Sequence, residues 1–302
     1  MDDLRYFVAV AEQQHVGRAA QRLGVSQPAL TKGVQRLEHE LGLQLFERGA
    51  RGMTLTSVGS VFFERARHLT VHLDEAVQEA NDLHLGAIGM VRVGVSPIFA
   101  DHLVAETFAR LLQQRPGAKA HVSISLNDQL RASLRLGDLD FSINALEDPE
   151  PEDLQQDALL DDELCIVLRE SHPLLARGRL RFADLAQAAW ALPGHDVLAR
   201  RRVEARFAEQ ELPPPKVVLQ LDTSITLATA ALRHSDLVGV MSRFSLRLPA
   251  GRGLVRLEVE GAAWPRRVGV VRRRGAYLSP LADRFIELLR ERAAELSITG
   301  SG

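Results

Sequence analysis

Gln27, Thr31 and Lys32 lie close together in the stretch GVSQPALTKGVQRLEHELG, Gly24 to Gly42. Their side chains suit recognition of a nucleic-acid duplex. A carboxamide can read a base edge, a threonine hydroxyl can meet a base or a phosphate, and an ammonium can reach guanine or phosphate. The same polar face carries Pro28, Gln35 and Arg36. A second group of residues has binding chemistry of another kind. Ser96, Asn127, Asn144, the Pro193-Gly194-His195 turn and Thr223 each follow a short apolar or β-branched run. In open α/β sheets, ligands sit beyond the carboxyl ends of strands, where helix N-termini aim free N–H groups at anions. A serine or threonine in such a place can also be an ordinary helix cap.

Catalytic constellations are missing from the pattern. The chain has no zinc-ligand spacing, P-loop, nucleophile elbow or dinucleotide-binding glycine loop, and the glycines of GAIGMVRVG precede a strand instead of following one. No serine, histidine and aspartate are placed together by the sequence. No metal site or cofactor is expected, and an enzyme is not the reading that follows.

The elements that must position the first group are short helices. Leu4, Phe7, Val8 and Ala11 recur at helical spacing and predict a helix over 2–13. GRAAQRLG predicts a second helix ended by Gly24. Ser26 is a good N-cap for a third, with Pro28 tolerated in its first turn. Leu30, Val34, Leu37 and Leu41 line the inward face, and Gly42 stops the helix. Two short helices joined by a tight glycine turn form a helix-turn-helix, whose second helix enters the DNA major groove. LQLFERGARGMTLT then reads as a two-stranded wing with Arg48 and Arg51 flanking its tip. Over residues 18–51, six arginines and lysines stand against three glutamates. That excess is modest, so phosphate affinity depends on dimerisation doubling the contacts.

RAAQRLGVSQPALTKGVQRLEHELGLQLFERGARGMTLTSVG resembles the N-terminal domain of LysR-type transcriptional regulators. The matching pieces are Ala19-Ala20, Leu23, Ser26-Gln27-Pro28-Ala29, Leu37-Glu38, Leu41-Gly42, Leu45-Phe46-Glu47-Arg48 and Leu55-Thr56 with Gly59. The resemblance implies DNA contacts from Gln27, Pro28, Thr31 and Lys32, with Arg51 in the wing. The chain departs from the family at Val16-Gly17, where an aromatic and then Ser or Thr is usual. The second helix thus lacks its hydroxyl cap, with Gly17 as a tolerable substitute. Gly33 also departs, since larger polar residues are common there. It lies on the flank of the inward face, where the missing side chain would let a neighbouring helix or the DNA backbone approach.

Residues 58–87 predict one long helix. Phe62, Ala66, Leu69, Leu73, Ala76, Ala80, Leu83 and Ala87 step alternately by four and three, which is a heptad seam. As in the family, Phe62, Leu69, Leu73, Ala76 and Leu83 would pair this helix with a second copy. A dimer presents two recognition helices and so fits a quasi-palindromic promoter site. A homotetramer is implied by the resemblance alone, and a contact with RNA polymerase is left open.

From Met90 on, runs such as MVRVGVS, AHVSISL, LDFSIN, LCIVLRE, KVVLQLD, LVGVMS and RRVGVVRR alternate with helical stretches, which predicts α/β architecture with largely parallel sheets. The fold class expected is therefore α/β: a winged helix-turn-helix over 1–57, a linker helix over 58–87, and a two-lobed effector domain over 90–302. The resemblance makes that last domain periplasmic-binding-protein-like. Lobe one would take 90–161 and 266–302 and lobe two 162–265, with crossovers near Asp161 and Trp264. The resemblance also implies effector contacts at Ser96, Asn127, Pro193, His195 and Thr223, for a small molecule that could be a carboxylate.

The chain of 302 residues has a net charge of −2, only three lysines (Lys32, Lys119, Lys216) and one cysteine, Cys165. A single thiol excludes an internal disulfide and fits a reducing compartment; Cys165 lies in an apolar run and reads as core. MDDLRYFVAVAEQQ is acidic and broken by charges, unlike a signal peptide. No apolar run reaches the roughly 20 residues of a bilayer span. A cytoplasmic protein is expected, which also disfavours a secreted solute-binding module.

Overall fold

The computed structural model describes residues 1–49, 52–85, 89–178, 180–195, 197–221 and 224–298. The chain divides into two compact units, Met1–Leu85 and Gly86–Gly302.

In the first unit, α1 (Asp2–Gln13), α2 (Val16–Leu23) and α3 (Gln27–Leu41) precede a hairpin of β1 (Phe46–Gly49) and β2 (Gly52–Leu55) and a long helix α4 (Ser57–Leu85). Gly24 and Gly42 end α2 and α3 in left-handed conformation, which a residue with a Cβ rarely adopts. Ser26 Oγ accepts from Ala29 N at the start of α3. The missing hydroxyl cap of α2 has a replacement the sequence did not reveal: His15 is its N-cap, and Nδ1 accepts from Gly17 N (3.1 Å). Phe7, Val10, Ala19, Leu30, Val34, Leu45 and Ala66 form the core of the unit. Leu41, expected on the inward face, is 40% exposed in the last turn of α3.

The wing is fastened to α3 by Glu38, whose Oε1 accepts from Leu45 N (2.8 Å) and Phe46 N (3.1 Å). Thr56 Oγ1 donates to Gln44 O and accepts from Gly59 N, both at 2.8 Å, and so caps α4. A Cβ on Gly59 would overlap the Leu45 carbonyl, so the close approach of α4 to the wing requires glycine.

The expected heptad seam of α4 is split. Ala66 is buried in the unit's own core and Phe62 and Phe63 pack on it, with Phe62 5.3 Å from Phe7 between ring centroids. Leu69, a seam residue, is 60% exposed, and Val58, Val61 and Val77 are further exposed apolar side chains of the same helix. Leu73 is half-buried and Ala76 exposed; the side chain of Leu83 lies outside the described residues.

The second unit holds one nine-stranded sheet. Its first part comprises β3 (Met90–Val95), α5 (Pro97–Phe99) running through a π-helical turn into α6 (Glu106–Gln114), β4 (Lys119–Ile124), α7 (Asn127–Leu136) and β5 (Phe141–Ala145). A long strand, β6 (Leu154–Arg169), leads to β7 (Ala189–Leu192), α8 (Leu198–Glu209), β8 (Lys216–Gln220), α9 (Ile225–Arg233), β9 (Leu237–Ser242) and α10 (Arg243–Leu246). Then β10 (Leu254–Arg256) and β11 (Ala263–Arg273) lead to the last helix, α11 (Pro280–Ile298).

Strand order is β4-β3-β5-β11-β6-β9-β7-β8, with β10 beside β6. The outer strands pair in parallel, as expected, but β5–β11, β11–β6 and β6–β9 are antiparallel. The sheet is mixed, not largely parallel. Two main apolar cores flank it: Val93, Phe141, Val270 and Phe285 anchor one, and Ile166, Trp190, Val203 and Phe207 the other. β6 begins ten residues before its apolar run LCIVLRE. Its opening stretch, LQQDALLDDE, pairs with β11 and buries Leu154 and Leu160.

Candidate DNA-contact helix and effector cleft

Helix α3 presents Gln27, Pro28, Lys32 and Gln35 to solvent and keeps Thr31 half-buried. This is the geometry of a helix whose N-terminal turns read a groove. The Gln27 carboxamide folds over the start of α2, where Nε2 stands 2.9 Å from the place a Cβ on Gly17 would take. A side chain at 17 would make the end of Gln27 move aside. Arg36 is exposed but engaged: Nε donates to Asp3 Oδ2 (2.9 Å) and Nη2 to Asp3 Oδ1 (2.6 Å), which raises its pKa. Arg22 pairs with Glu12 and Arg5 with Asp74. Lys32 has no ion-pair partner among the described residues. Arg51 lies outside them.

The cleft follows from strand register. β5 ends with Ala145 paired to Val268, which pairs with Leu160 of β6. β9 ends with Ser242 paired to Leu164 of the same strand, arriving from the opposite direction. The carboxyl ends of the two half-sheets thus point at each other across residues 160–164, a gap of about 13 Å at 3.3 Å per residue. Parallel pairing puts β3 and β4 level with β5, and β7 and β8 level with β9. Ligands in α/β sheets bind at such a meeting of strand ends.

The floor of the gap is a cross-strand ion pair. Asp162 and Arg266 are register partners on β6 and β11, and Asp162 is buried. Asp162 also accepts from Ser242 Oγ (2.6 Å), and Arg266 lies over the Phe99 ring. On one wall, Ser96 and Asn127 are brought together, with Ser96 Oγ donating to Asn127 Oδ1 at 2.8 Å. On the other, Arg200 is held under the Pro193–His195 turn. It donates to Pro193 O (3.2 Å) and Glu204 Oε1 (2.7 Å) and lies 2.9 Å from His195 Nε2. The His195 side chain is 70% exposed. Hydroxyl, amide and imidazole groups on facing walls can hydrogen-bond a small polar molecule.

Two expected contacts fare differently. Asn144 does not follow β5 but lies within it, 1% exposed. Its Oδ1 accepts from Ser142 Oγ (2.7 Å), so it braces the strand end and is closed to a ligand in this conformation. Thr223 lies outside the described residues, and the cap of α9 is Ser224, whose Oγ accepts from Leu227 N. Asp162, Arg266 and Arg200 were missed by sequence reasoning. Glu204, four residues after Arg200, is a visible helical pair; nothing local signals a pair 104 residues apart.

Both units match family models. Residues 1–60 match the bacterial regulatory helix-turn-helix protein, lysR family, and residues 85–294 the LysR substrate binding domain. The chain belongs to the LysR family. The HTH-type transcriptional regulator GbpR of Azospirillum brasilense is 37% identical to this LysR-type chain over 242 residues, 80% of this chain and 70% of GbpR. Full-length CbnR complexed with its target DNA superposes with a TM-score of 0.60 at 21% identity, covering 96% of this chain and 99% of that one. The regulatory domain of Synechocystis PCC6803 CcmR in complex with 2-PG gives a TM-score of 0.60 at 22% identity, over 70% of this chain and 98% of that domain. As a LysR-type protein, the chain is a DNA-binding transcriptional regulator with a small-molecule effector domain, not an enzyme. No helix among the described residues is long and apolar enough to cross a membrane.

Proposed function

We propose that two copies of this regulator pair through α4 and set their α3 helices into successive major grooves of a quasi-palindromic promoter site. Gln27, Pro28, Thr31, Lys32 and Gln35 face the duplex, with Arg51 in the wing. A homotetramer would follow from pairing of dimers. A small anion, of which a carboxylate is the simplest, binds between the half-sheets against Ser96, Asn127, Pro193, His195 and Thr223, in a cytoplasmic protein. Binding favours one separation of the lobes and so one spacing of the recognition helices.

The observation that carries the effector reading is the convergence of strand ends on residues 160–164. The DNA-bound state of CbnR and the 2-PG complex of CcmR support the two halves of the proposal by analogy of fold. The exposed apolar side chains of Val58, Val61, Leu69 and Val77 on α4 support pairing through that helix. The test is calorimetry of the full-length protein with a panel of small carboxylates, repeated with Ser96→Ala. A binder whose affinity falls at least tenfold in the variant, and which changes mobility of the protein–promoter complex, is the expected result. An unchanged affinity moves the site elsewhere.

A further inference from the structure

We propose that Asp3 is a built-in competitor for DNA phosphate, holding Arg36 of the recognition helix out of backbone contact and so restraining sequence-independent binding. The proposal rests on the reading of α3 as the groove helix.

Two cations stand on the polar face of α3, Lys32 and Arg36. They are in opposite states. Lys32 has no ion-pair partner among the described residues, whereas the Arg36 fork is matched to both oxygens of Asp3 at 2.6 and 2.9 Å. This is the bidentate geometry a phosphate would otherwise use. The pair sits at the surface, with the Arg36 side chain 60% exposed and that of Asp3 21%. It therefore occupies the solvent side of the α1–α3 contact, within reach of a ligand approaching α3, and is not a core staple.

Gly33 makes the arrangement possible. A Cβ at 33 would stand 2.6 Å from Asp3 Oδ1 and would overlap the Tyr6 ring. A larger residue there would push the carboxylate out of the slot in which it meets Arg36. The bare position on α3 is thus filled by a carboxylate aimed at a DNA-facing cation. That carboxylate cancels one positive charge in a domain whose local excess is small. A phosphate must displace Asp3 before it gains the Nε–Nη2 edge of Arg36, and an arginine whose charge Asp3 already balances adds little to counterion release from DNA. Sequence-independent affinity falls, while Lys32 stays exposed with no ion-pair partner among the described residues.

The salt dependence of binding reads this out. Each phosphate neutralised adds about 0.9 to the slope of log K against log salt, equivalent to roughly fivefold in affinity at 0.15 M. The full-length protein is titrated by fluorescence anisotropy onto a 30-base-pair random-sequence duplex between 0.05 and 0.3 M NaCl, on the order of the range where such slopes are measured. Asp3→Asn should bind roughly fivefold tighter per protomer at 0.15 M with a slope steeper by about 0.9, and adding Arg36→Gln should abolish that gain. An unchanged or shallower slope for Asp3→Asn in a chain that melts cooperatively overturns the proposal and leaves the pair as a helix staple. If Asp3→Asn does not fold, Asp3→Ser is read by the same criterion. Lys32→Gln separates the two readings: if it has no effect, α3 is not the groove helix. If it weakens binding while Asp3→Asn does nothing, only the competitor fails.

Discussion

Arg266 and Asp162 face each other across the two strands that join the half-sheets, with Arg266 Nε and Nη2 donating to Asp162 Oδ2 at 2.8 and 2.6 Å. The carboxylate is closed to solvent, and Ser242 Oγ occupies its other oxygen. The pair ties β6 and β11 together where the chain passes between lobes. Arg266→Met leaves a buried carboxylate with its main counter-charge gone, which costs about 3–5 kcal/mol. Urea unfolding of the purified variant should show that loss in the second unit. A loss below about 1 kcal/mol would mean that water already compensates Asp162.

Gly33 gains helix propensity on conversion to alanine, about 1 kcal/mol. The new methyl must then displace Tyr6 and Asp3, between which the position is closed. Overpacking of this kind costs about 1–3 kcal/mol, so Gly33→Ala should be neutral to destabilising by about 2 kcal/mol. Thermal melts of the variant decide it, and a clear rise in Tm would show that α1 yields freely.

Cys165 is fully buried in β6, and burial pushes its thiol up to about 12. A protonated, enclosed thiol does not react with disulfide reagents. Labelling with an aromatic disulfide at pH 8 should be negligible in the native protein and complete in denaturant. Fast native labelling would show that β6 opens.

Glu295 joins α11 to α6 through both oxygens, accepting from Arg110 Nη1 (2.7 Å) and Nη2 (2.6 Å) and from Arg292. The Arg110 and then the Arg292 hydrogen bonds lower its pKa from the ordinary 4.5 to about 2. A carboxyl held below its unfolded value stabilises the fold above that value. The contribution is lost as pH falls from 4.5 towards 2. Glu295→Gln should therefore lower stability in the neutral region and flatten the acid limb, the two stability–pH curves converging as pH falls towards 2, as acid titrations followed by circular dichroism can show.

The helix-turn-helix was legible because its determinants are local. Ser26, Gly24 and Gly42 act within one turn of themselves, and the spacing of Leu30, Val34 and Leu37 is a property of a single helix. The strand ends at Ser96 and Asn127 were visible for the same reason. Their hydrogen bond was not, because it joins two connections separated by a whole strand and helix.

What sequence alone determined here is the kind of element at each place, the caps that bound it, and the face that carries groove-reading side chains. Tertiary structure alone decided which of those side chains are free. Asp3 takes Arg36, Ser142 takes Asn144, and the core of the first unit takes Ala66 from the pairing seam. The register of β6 against β11 likewise placed Asp162 on Arg266 and turned two sets of strand ends towards each other. The physical reason is range. Helix propensity and capping act over three or four residues, whereas ion pairs, burial and strand register depend on which distant segments the fold brings within a few ångströms.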